Sequence, residues 1–295
     1  MNILITGGSG FIGQHLITSF AAKHDKINAL IHHHAIKHSR CKSITSLNAI
    51  DRHEKFDVII NLAGAKINKR WSRVYQKTLI DSRVNTTSAI VKLINRLTHP
   101  PKVFISGSAI GYYGSQTESY IDEDSDCYDD FVHRLCHLWE FEAQKLDNLT
   151  IKTYIMRLGV VLGRGGGFLK QVLPIFKLGL GGKTGNGQQF LSWVHIHDVI
   201  NVINLCIEAQ LAPGCYNLTS PQKTTNEAFT KTLAKLLGKP ACVNMPAWLV
   251  KTLFGTMGKD LLLQGSAVYP KKLIAHGYDF MFKDLHTALK AELKK

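Results

Sequence analysis

The sequence contains no apolar run of about 18 residues, the length that a helix needs to cross a membrane, so we expect no membrane-spanning segment. It also has few cysteines, six in 295 residues, and none forms a Cys-x-x-Cys pair. This pattern predicts reduced, mostly buried thiols rather than a disulfide framework or a zinc site. The first apolar strand begins almost at Met1, which leaves no room for a signal peptide, and we expect a cytoplasmic protein.

Acidic residues are scarce, with 22 Asp and Glu against 36 Lys and Arg, and the formal net charge is +14. Such an excess favours anionic ligands. The basic residues are nevertheless spread along the chain, and no nucleic-acid-binding motif is visible. We therefore expect a phosphate-bearing cofactor and a small anionic substrate as partners, and no nucleic acid.

Short apolar runs alternate with helical patterns in the first half of the chain. The runs lie at residues 2–5, 27–31, 58–62, 103–105 and 151–156, and the helical patterns at 11–22, 73–97 and 131–146. Nearly continuous apolar runs are typical of parallel strands covered on both faces. Their alternation with helices predicts an α/β fold with a doubly wound parallel sheet of the Rossmann type.

The second half begins with a glycine-rich stretch at residues 163–187, which is typical of loops. A short strand then leads into a helix that Asp198 is placed to cap, and 215–218 fits a last strand of the sheet. Residues 224–237 predict a helix capped by Thr224 or Thr225 and ended by Gly238.

Two units follow from this organisation. We predict a dinucleotide-binding domain at 1–163 plus 195–218. The remainder, 164–194 plus 219–295, is predicted to form a smaller substrate-facing lobe.

A glycine-rich turn follows the first apolar run. Its residues are Gly7, Gly8, Ser9, Gly10, Phe11, Ile12 and Gly13, which satisfy both Gly-x-Gly-x-x-Gly and Gly-x-x-Gly-x-x-Gly spacings. Glycines let the backbone turn sharply, approach a pyrophosphate and pack the next helix on the sheet. The helix N-terminus offers unpaired N–H groups to the phosphates. The strand before the turn and the helix after it therefore predict that these seven residues bind a dinucleotide.

The end of the second strand discriminates between NAD and NADP, because NAD-binding proteins usually place Asp or Glu there against the ribose 2′-hydroxyl. Three histidines occupy the position here, Lys37 and Arg40 follow, and Asp25 lies at the wrong end of the strand. We predict NADP(H), with NAD less favoured. Consecutive histidines do not readily converge on one ion, so we expect no metal site.

Further motifs follow the turn along the whole chain. They are Asn61-Leu62-Ala63-Gly64, Arg70-Trp71, Asp81-Ser82-Arg83, Ser106-Gly107-Ser108-Ala109, Tyr112-Tyr113-Gly114, Trp139-Glu140, and the stretches 157–163, 181–187, 192–198 and 270–273. In this order they resemble extended short-chain dehydrogenases/reductases of the nucleotide-sugar epimerase type. Within that type the chain resembles the atypical epimerase family proteins, which end in a short C-terminal domain.

The resemblance implies an NADP(H)-binding protein and assigns cofactor contacts by position. The turn would hold the pyrophosphate, and His32 would stand where relatives usually have arginine against the 2′-phosphate. Arg83 would contact the cofactor, although the residues alone fit an exposed helix position equally well. The remaining contacts implied for the cofactor site are Leu62, Ala63, Gly64 and Ser106.

The catalytic pair of short-chain dehydrogenases is absent. These enzymes use Tyr-x-x-x-Lys on a helix, where the lysine lowers the tyrosine pKa, with a serine after the fourth strand. Ser108 fits the serine position. Counting back from Glu140, however, Val132 stands where the tyrosine belongs and Cys136 where the lysine belongs.

Three alternatives stay open for the chemistry. In the first, another residue serves as acid or base, with Tyr112, Tyr113 and His133 as candidates beside Ser108. In the second, the reaction needs only hydride transfer and positioning of the reactants. In the third, the protein binds its cofactor without turnover. Both tyrosines follow a strand at its carboxyl end, where open α/β sheets bind ligands, but packing under a loop explains them equally.

Three residues of the second half are candidates for substrate contact. Arg164 suits an acidic or phosphorylated substrate, while Gln189 and Trp193 follow the glycine-rich stretch; packing is the alternative for the tryptophan. The first functional hypothesis is therefore an NADP-dependent oxidoreductase or epimerase acting on a small anionic substrate. The second is a non-catalytic NADP(H)-binding sensor or scaffold, which the missing Tyr-x-x-x-Lys pair favours.

Overall fold

The computed structural model describes residues 1–23, 25–31, 38, 40–118, 120–146 and 150–293. Among them the strands are β1 Asn2–Thr6, β2 Lys26–Leu30, β3 Cys41–Ile44, β4 Val58–Asn61, β5 Val103–Ala109, β6 Lys152–Leu158, β7 Val160–Leu162, β8 Trp193–His195 and β9 Gly214–Leu218. Seven of these form a parallel sheet in the order β3-β2-β1-β4-β5-β6-β9, and β7 pairs with β8. The predicted doubly wound parallel sheet is confirmed.

The helices in the same part of the chain are α1 Phe11–Ala22, α2 Arg73–Arg96, α3 Phe131–Gln144, α4 Gly167–Lys177, α5 Ile196–Ile207, α6 Asn226–Leu237, α7 Ala247–Leu262, α8 Lys271–Ala275 and α9 Leu285–Leu293. Helix α7 is broken at Gly255, whose φ of 61° and ψ of −139° are not helical. None of the helices in the described ranges combines the length and the apolar character needed to cross a membrane.

The central sheet buries both of its faces, which explains its nearly continuous apolar strands. In β1, Ile3 and Ile5 pack with α1 and α5 on one face, whereas Leu4 packs with α2 and α3 on the other. All three side chains are fully buried. Burying an aliphatic side chain of this size contributes about 1.5–3 kcal/mol. The two layers of helices therefore hold β1, and the turn that follows it, in a fixed position.

Strand order reverses between β1 and β4. From β1 the sheet extends through β2 to β3 on one side, and from β4 through β5 and β6 to β9 on the other. Ligands of open α/β sheets bind in the crevice at the carboxyl ends of the strands where the order reverses. The glycine turn follows β1 and residues 62–72 follow β4, so both segments lie at this crevice.

A third core cluster joins the C-terminal elements to β7 and β8. Leu162 and Trp193 pack there with Phe229 of α6 and Leu289 of α9. Helix α7 packs elsewhere, because Met257 contacts the segment after β4 and the start of α3. The C-terminal elements therefore touch the sheet domain on two sides, and their predicted role as a substrate-facing lobe remains a prediction.

Two local predictions need comment. The predicted cap of α6 is confirmed, since the Thr225 hydroxyl accepts a hydrogen bond from the Ala228 N–H and Gly238 ends the helix with φ 61°. The predicted capping role of Asp198 is wrong. His195 caps α5, and the buried Asp198 carboxylate instead accepts hydrogen bonds from the C-terminal residues Tyr278, Met281 and Phe282.

The structure contains two strands that the sequence did not predict. They are β3, which pairs with β2, and β7, which pairs with β8. Strand β3 is polar and only half-buried, with the sequence Cys-Lys-Ser-Ile, because it lies at the edge of the sheet. It therefore lacks the continuous apolar run that identified the central strands.

Candidate functional site

The glycine turn has a backbone that side chains would disrupt. Gly7 has a φ of 73°, and a Cβ there would lie 2.5 Å from the Leu62 carbonyl oxygen. A Cβ on Gly13 would lie 2.4 Å from the Gly7 carbonyl oxygen, and the Gly10 N–H donates to that same oxygen at 2.9 Å. Glycine at 7 and 13 is therefore required for α1 to approach the ends of β1 and β4.

The N-terminus of α1 is open for an anion. Gly10 is the N-cap with extended backbone, no side chain caps the first turn, and no acidic residue lies in it. The first bond of the helix runs from the Gln14 N–H to the Gly10 carbonyl at 2.9 Å. Ser9 and Gly10 are exposed. Free N–H groups and the positive end of the helix dipole meet here, so the residues present fit a dinucleotide pyrophosphate.

The residues expected to read the ribose lie mostly outside the described ranges. His32 and Lys37 are among them, so the predicted contact of His32 with a 2′-phosphate stays a prediction. Asp25 does lie at the opposite end of β2, where its carboxylate pairs with the Met1 amine at 2.8 Å. It is therefore not available to a ribose at the carboxyl edge.

Arg83 of α2 is half-buried beneath the segment that follows β4. Its guanidinium donates to the carbonyls of Leu79 and Ala65 at 3.1 and 3.3 Å and lies 5.2 Å from the Trp139 ring. A Cβ on Gly64 would lie 2.9 Å from the guanidinium carbon. Burial lowers the pKa of Arg83 from its ordinary value. The alternative of an exposed helix residue is therefore excluded.

The other predicted cofactor residues occupy the ends of β4 and β5. Leu62 is half-buried against the core, Ala63 is buried and Gly64 is exposed. Ser106 is buried, and its hydroxyl donates to the Gly107 carbonyl at 3.2 Å. Gly64 thus presents open backbone at the crevice, whereas Ser106 lies in the interior of the sheet.

The end of β5 carries a buried charged network. The Ser108 hydroxyl donates to Glu140 Oε1 at 2.5 Å. Arg157, at the end of β6, donates to both carboxylate oxygens of Glu140, from Nε and Nη2, at 2.9 Å each. All three side chains are buried. A two-point guanidinium–carboxylate pair of this kind is geometrically rigid, so Ser108 is held by Glu140.

The network continues to the predicted tyrosines. The Tyr113 hydroxyl donates to Asn217 Oδ1 at 2.8 Å and accepts from Arg157 Nη1 at 3.0 Å, and its burial raises the pKa of Tyr113. Tyr112 is half-buried, with its ring 3.4 Å from the Arg157 guanidinium carbon. Burial raises the pKa of Tyr112, while the charge of Arg157 opposes that rise.

The positions of the missing catalytic pair are filled by buried side chains of α3. Val132 packs in an apolar cluster with Trp71, Leu135 and Met257. Cys136 is buried, and its burial raises the pKa of the thiol to about 12. A valine and a protonated thiol therefore stand where tyrosine and lysine would exchange a proton.

The three candidates for substrate contact differ in their burial and in their hydrogen bonds. Trp193 is fully buried, and its indole N–H donates to Thr224 at 3.0 Å, so packing replaces the predicted substrate contact. The Gln189 amide is buried and donates to the Leu262 carbonyl at 2.6 Å, so Gln189 joins the segment before β8 to the end of α7. Arg164 is exposed, and its substrate contact stays a prediction.

His133, a candidate for acid or base, and the buried His195 both make contacts within the protein. His195 is buried, with Nε2 2.8 Å from a Glu292 carboxylate oxygen and Nδ1 accepting from the His197 N–H. His133 Nδ1 lies 2.5 Å from the Tyr112 carbonyl. Across the described ranges, no group of three or more histidine, cysteine or acidic side chains is arranged to hold a metal ion.

Sequence reasoning missed the pairing of Glu140 with Arg157. Glu140 was used as a family motif residue and to locate the missing pair, and Arg157 as part of the motif at 157–163, just beyond the predicted strand at 151–156, but the two were not connected. One feature of the sequence could have indicated the pair: Arg157 directly continues an apolar strand of the central sheet, and Glu140 lies on an amphipathic helix. Charged residues are rarely fully buried unless paired.

Comparison with known proteins agrees with this geometry. The family model described as "NAD dependent epimerase/dehydratase family" matches residues 3–219, and a domain of unknown function, DUF1731, matches 245–292. The epimerase family protein SDR39U1 of Mus musculus is 34% identical over 299 residues, covering 98% of this chain and 99% of its own. The epimerase family protein YfhF of Bacillus subtilis is 34% identical over 297 residues, covering 98% and 97%.

Solved structures give the same result. The crystal structure of human epimerase family protein SDR39U1 with NADPH is 33% identical, covers 99% of each chain and superposes with a TM-score of 0.91. UDP-glucuronic acid 4-epimerase from Bacillus cereus, in complex with UDP-glucuronic acid and NAD, reaches a TM-score of 0.80 at 17% identity over 99% of this chain and 98% of its own. The second likeness concerns the fold alone.

Proposed function

Because the chain belongs to the NAD dependent epimerase/dehydratase family, we propose that it binds NADP(H) at the glycine turn and uses it in hydride transfer. The reaction class is that of an oxidoreductase or epimerase acting on a small anionic substrate. The bound nicotinamide supplies or accepts the hydride. The protein binds and orients both molecules and moves a proton without a Tyr-x-x-x-Lys pair.

One observation carries the proposal, the open N-terminus of α1 behind a turn that only glycine can form. Gly7 and Gly13 remove the Cβ atoms that would collide with neighbouring backbone. Gly10 leaves the first N–H groups of α1 uncapped. Such an arrangement at the end of β1 is suited to the pyrophosphate of a dinucleotide. The human relative solved with NADPH supports the same use of this fold.

The choice of NADP over NAD rests on charge. No carboxylate follows β2 before β3, and the intervening sequence carries three histidines, two further basic residues and a fourth histidine, His38. A 2′-phosphate is favoured where positive groups replace the usual Asp or Glu. The NADPH in the structure of human SDR39U1 is in line with this choice.

Proton transfer is proposed to use groups other than the missing pair. The Ser108 hydroxyl donates to Glu140 and therefore offers lone pairs rather than a proton to a substrate. The Tyr113 proton is similarly directed to Asn217. Tyr112 is the less buried of the two tyrosines. Tyr112 is thus the most accessible of the three predicted catalytic residues.

The experiment that tests hydride transfer uses deuterated cofactor. Purified protein is incubated with NADPH deuterated at nicotinamide C4 and a panel of carbonyl compounds and sugar nucleotides, and the products are examined by mass spectrometry. Transfer of deuterium to a product, reduced in the Tyr112→Phe variant, is the expected result. NADPH binding with no label in any product, together with no interconversion of the sugar nucleotides in the presence of NADP⁺, would contradict the catalytic part of the proposal.

A second function, an NADP(H) sensor or scaffold, is favoured by a specific observation. Val132 and Cys136 are buried at the dyad positions, and the Ser108 and Tyr113 hydroxyls are both engaged within the protein. A sensor needs the cofactor site alone. Oxidised and reduced cofactor would then change the protein's conformation or its partners, which hydrogen exchange with NADP⁺ and NADPH in parallel would detect.

A further inference from the structure

A pocket of about 440 Å³ opens at the edge of the sheet opposite to the cofactor crevice. It is lined by residues of β6 and β9, by the residues just before these strands and by the end of α3. In a parallel sheet these strand starts lie at the amino edge, whereas the glycine turn follows β1 at the carboxyl edge. Ligand pockets of proteins typically enclose about 300–1,000 Å³. The pocket therefore has the size of a small-molecule site and is separate from the cofactor site.

The floor of this pocket is apolar. Ile151 and Ile155 are buried in it and belong to the core cluster that α2 and α3 form with one face of the sheet. Pro213 lines its side. A Cβ on Gly214 would meet no atom of the described residues within 4 Å beyond its chain neighbours, so the space above the start of β9 is open. An apolar group that enters this space can be removed from water on the two isoleucines.

Thr153 adds one hydroxyl group to the apolar floor. The residue is 6% exposed, and within the part of the chain that the structure describes its Oγ1 has no hydrogen-bond partner. Other buried threonines differ in this respect, because Thr87 donates to the Arg83 carbonyl at 2.7 Å and Thr219 to the Val268 carbonyl at 2.8 Å. A buried hydroxyl without a partner costs free energy, so such groups are rare in proteins. A molecule bound in the pocket would supply a partner.

The pocket continues along one face of the sheet to the charged network. In the pairing of β6 with β9, Ile155 lies beside Cys215, and Arg157 lies beside Asn217. Residues two apart in a strand share a face of the sheet. The Cys215 Sγ, which lines the pocket, lies 4.0 Å from Glu140 Oε2. A molecule on Ile155 and Cys215 would therefore lie one residue pair away from the network.

We propose that this pocket is a second ligand site, for a compact neutral molecule with an apolar body and one hydroxyl group, such as an alcohol or a phenol. The apolar body packs on Ile151 and Ile155, and the hydroxyl pairs with that of Thr153. A neutral group is favoured because the Thr153 hydroxyl can both donate and accept. A charged group at this depth would also lose its hydration. The exposed Lys152 lies only at the mouth of the pocket.

The test uses benzyl alcohol as the probe, toluene as its match without a hydroxyl, and benzoate as the charged alternative. Protein labelled at the isoleucine methyl groups is titrated by NMR, with and without NADPH. The signals of Ile151 and Ile155 report on the pocket, and the signal of Ile12 reports on the glycine turn. We expect benzyl alcohol to shift the two pocket signals in a saturable manner, to leave Ile12 unchanged, and to do so equally in both conditions.

Thr153→Val keeps the shape of the side chain and removes the hydroxyl. We expect this variant to bind benzyl alcohol about fivefold more weakly, the value of one neutral hydrogen bond, and toluene no more weakly than the parent. Its Tm should not fall, because the protein itself does not use the hydroxyl. Thr219→Val is the matched control, since its hydroxyl donates to the Val268 carbonyl. The control should lose Tm and keep the parent's affinity for benzyl alcohol.

Four results would overturn the proposal. The first is a shift of Ile12 alone, or no shift of Ile151 and Ile155 with any probe. The second is a Thr153→Val variant that binds benzyl alcohol as the parent does or loses equal affinity for both uncharged probes. The third is a lower Tm of that variant, which would show that the hydroxyl has a structural partner. The fourth is tighter binding of benzoate than of benzyl alcohol, which would make Lys152 the recognition group.

Discussion

The glycine turn after β1 and the charged corner after β5 lie at the same edge of one sheet but are built differently. The turn works through backbone geometry, with uncapped N–H groups at the start of α1. The corner works through side chains that bind one another, with Ser108, Glu140 and Arg157 joined in one buried network. A backbone site survives changes of side chain that leave its glycines in place. A catalytic site built from side chains is altered by such changes. Membership of a family is therefore stronger evidence for the cofactor site than for the reaction.

The corner also lacks the tyrosine and lysine of the Tyr-x-x-x-Lys pair. Where tyrosine and lysine would stand, Val132 and Cys136 pack into the protein. The buried cation of this corner is Arg157 of β6. The charge of Arg157 is balanced by Glu140. Removing one partner of such a buried pair leaves the other uncompensated, which costs about 3–5 kcal/mol. The four predictions that follow separate the two regions.

The largest expected effect is on stability, from Glu140→Ala. The variant leaves Arg157 buried without its carboxylate, and we expect the free energy of unfolding to fall by about 3–5 kcal/mol. Urea denaturation measures it. Asp279→Ala is the control, because Asp279 and its partner Lys283 are both exposed and the variant should lose no more than about 1 kcal/mol. Similar losses in both variants would contradict a special role for the network.

The next effect is on cofactor affinity, from Gly10→Val. The side chain would stand at the exposed N-terminus of α1, with its Cβ only 3.1 Å from the Gly7 carbonyl oxygen. We expect NADPH to bind about a hundredfold more weakly, roughly 2.8 kcal/mol, in a protein that remains folded. Gly111→Ala is the control in the other region, since its Cβ meets Cys136 only at 3.4 Å. Tight NADPH binding by Gly10→Val would remove the turn from the site.

A smaller effect is expected from Arg83→Met. Methionine keeps much of the apolar length beneath Gly64 but removes the guanidinium, so we expect NADPH affinity to fall about tenfold, roughly 1.4 kcal/mol. Arg96→Met serves as control, because Arg96 lies at the far end of α2 and binds carbonyls of residues 47–50. If calorimetry shows that both variants bind NADPH as tightly as the parent, Arg83 supports the segment after β4 without contacting the cofactor.

The smallest intervention labels the cysteines without changing the protein. Burial raises the pKa of Cys136 to about 12, so at about pH 8 its thiolate is scarce and iodoacetamide should leave it unmodified. Cys242 is exposed and should react. Peptide mass spectrometry before and after unfolding in urea gives the comparison. Rapid labelling of Cys136 in the folded protein would mean that the dyad position is accessible after all.

The sequence predicted the parts of the molecule that depend on local pattern. The glycine turn, the continuous apolar strands and the cap of α6 at Thr225 all have short-range signatures, and the structure contains each of them. The family prediction was confirmed by the comparisons, and the NADP prediction agrees with the NADPH bound by human SDR39U1.

The remaining features depend on contacts between distant residues. Asp198 looked like a helix cap because of its place near the start of α5, but its partners lie some 80 residues later. Trp193 followed a glycine-rich stretch and yet packs in the core. The pairing of Glu140 with Arg157, and the hydrogen bond from Asn68 to Gln171 of α4, likewise join elements far apart in the chain. Local patterns contain no information on such pairings.

The glycine turn after β1 is proposed to bind NADP(H) in preference to NAD(H), whereas Val132 and Cys136 fill the positions of the catalytic pair. The most direct test of this preference is calorimetric titration of cofactor-stripped protein with NADPH and NADH side by side. We expect saturable binding of NADPH with clearly higher affinity than NADH. Absence of binding by both would make the glycine turn purely structural, and tighter binding of NADH would contradict the assignment of the 2′-phosphate.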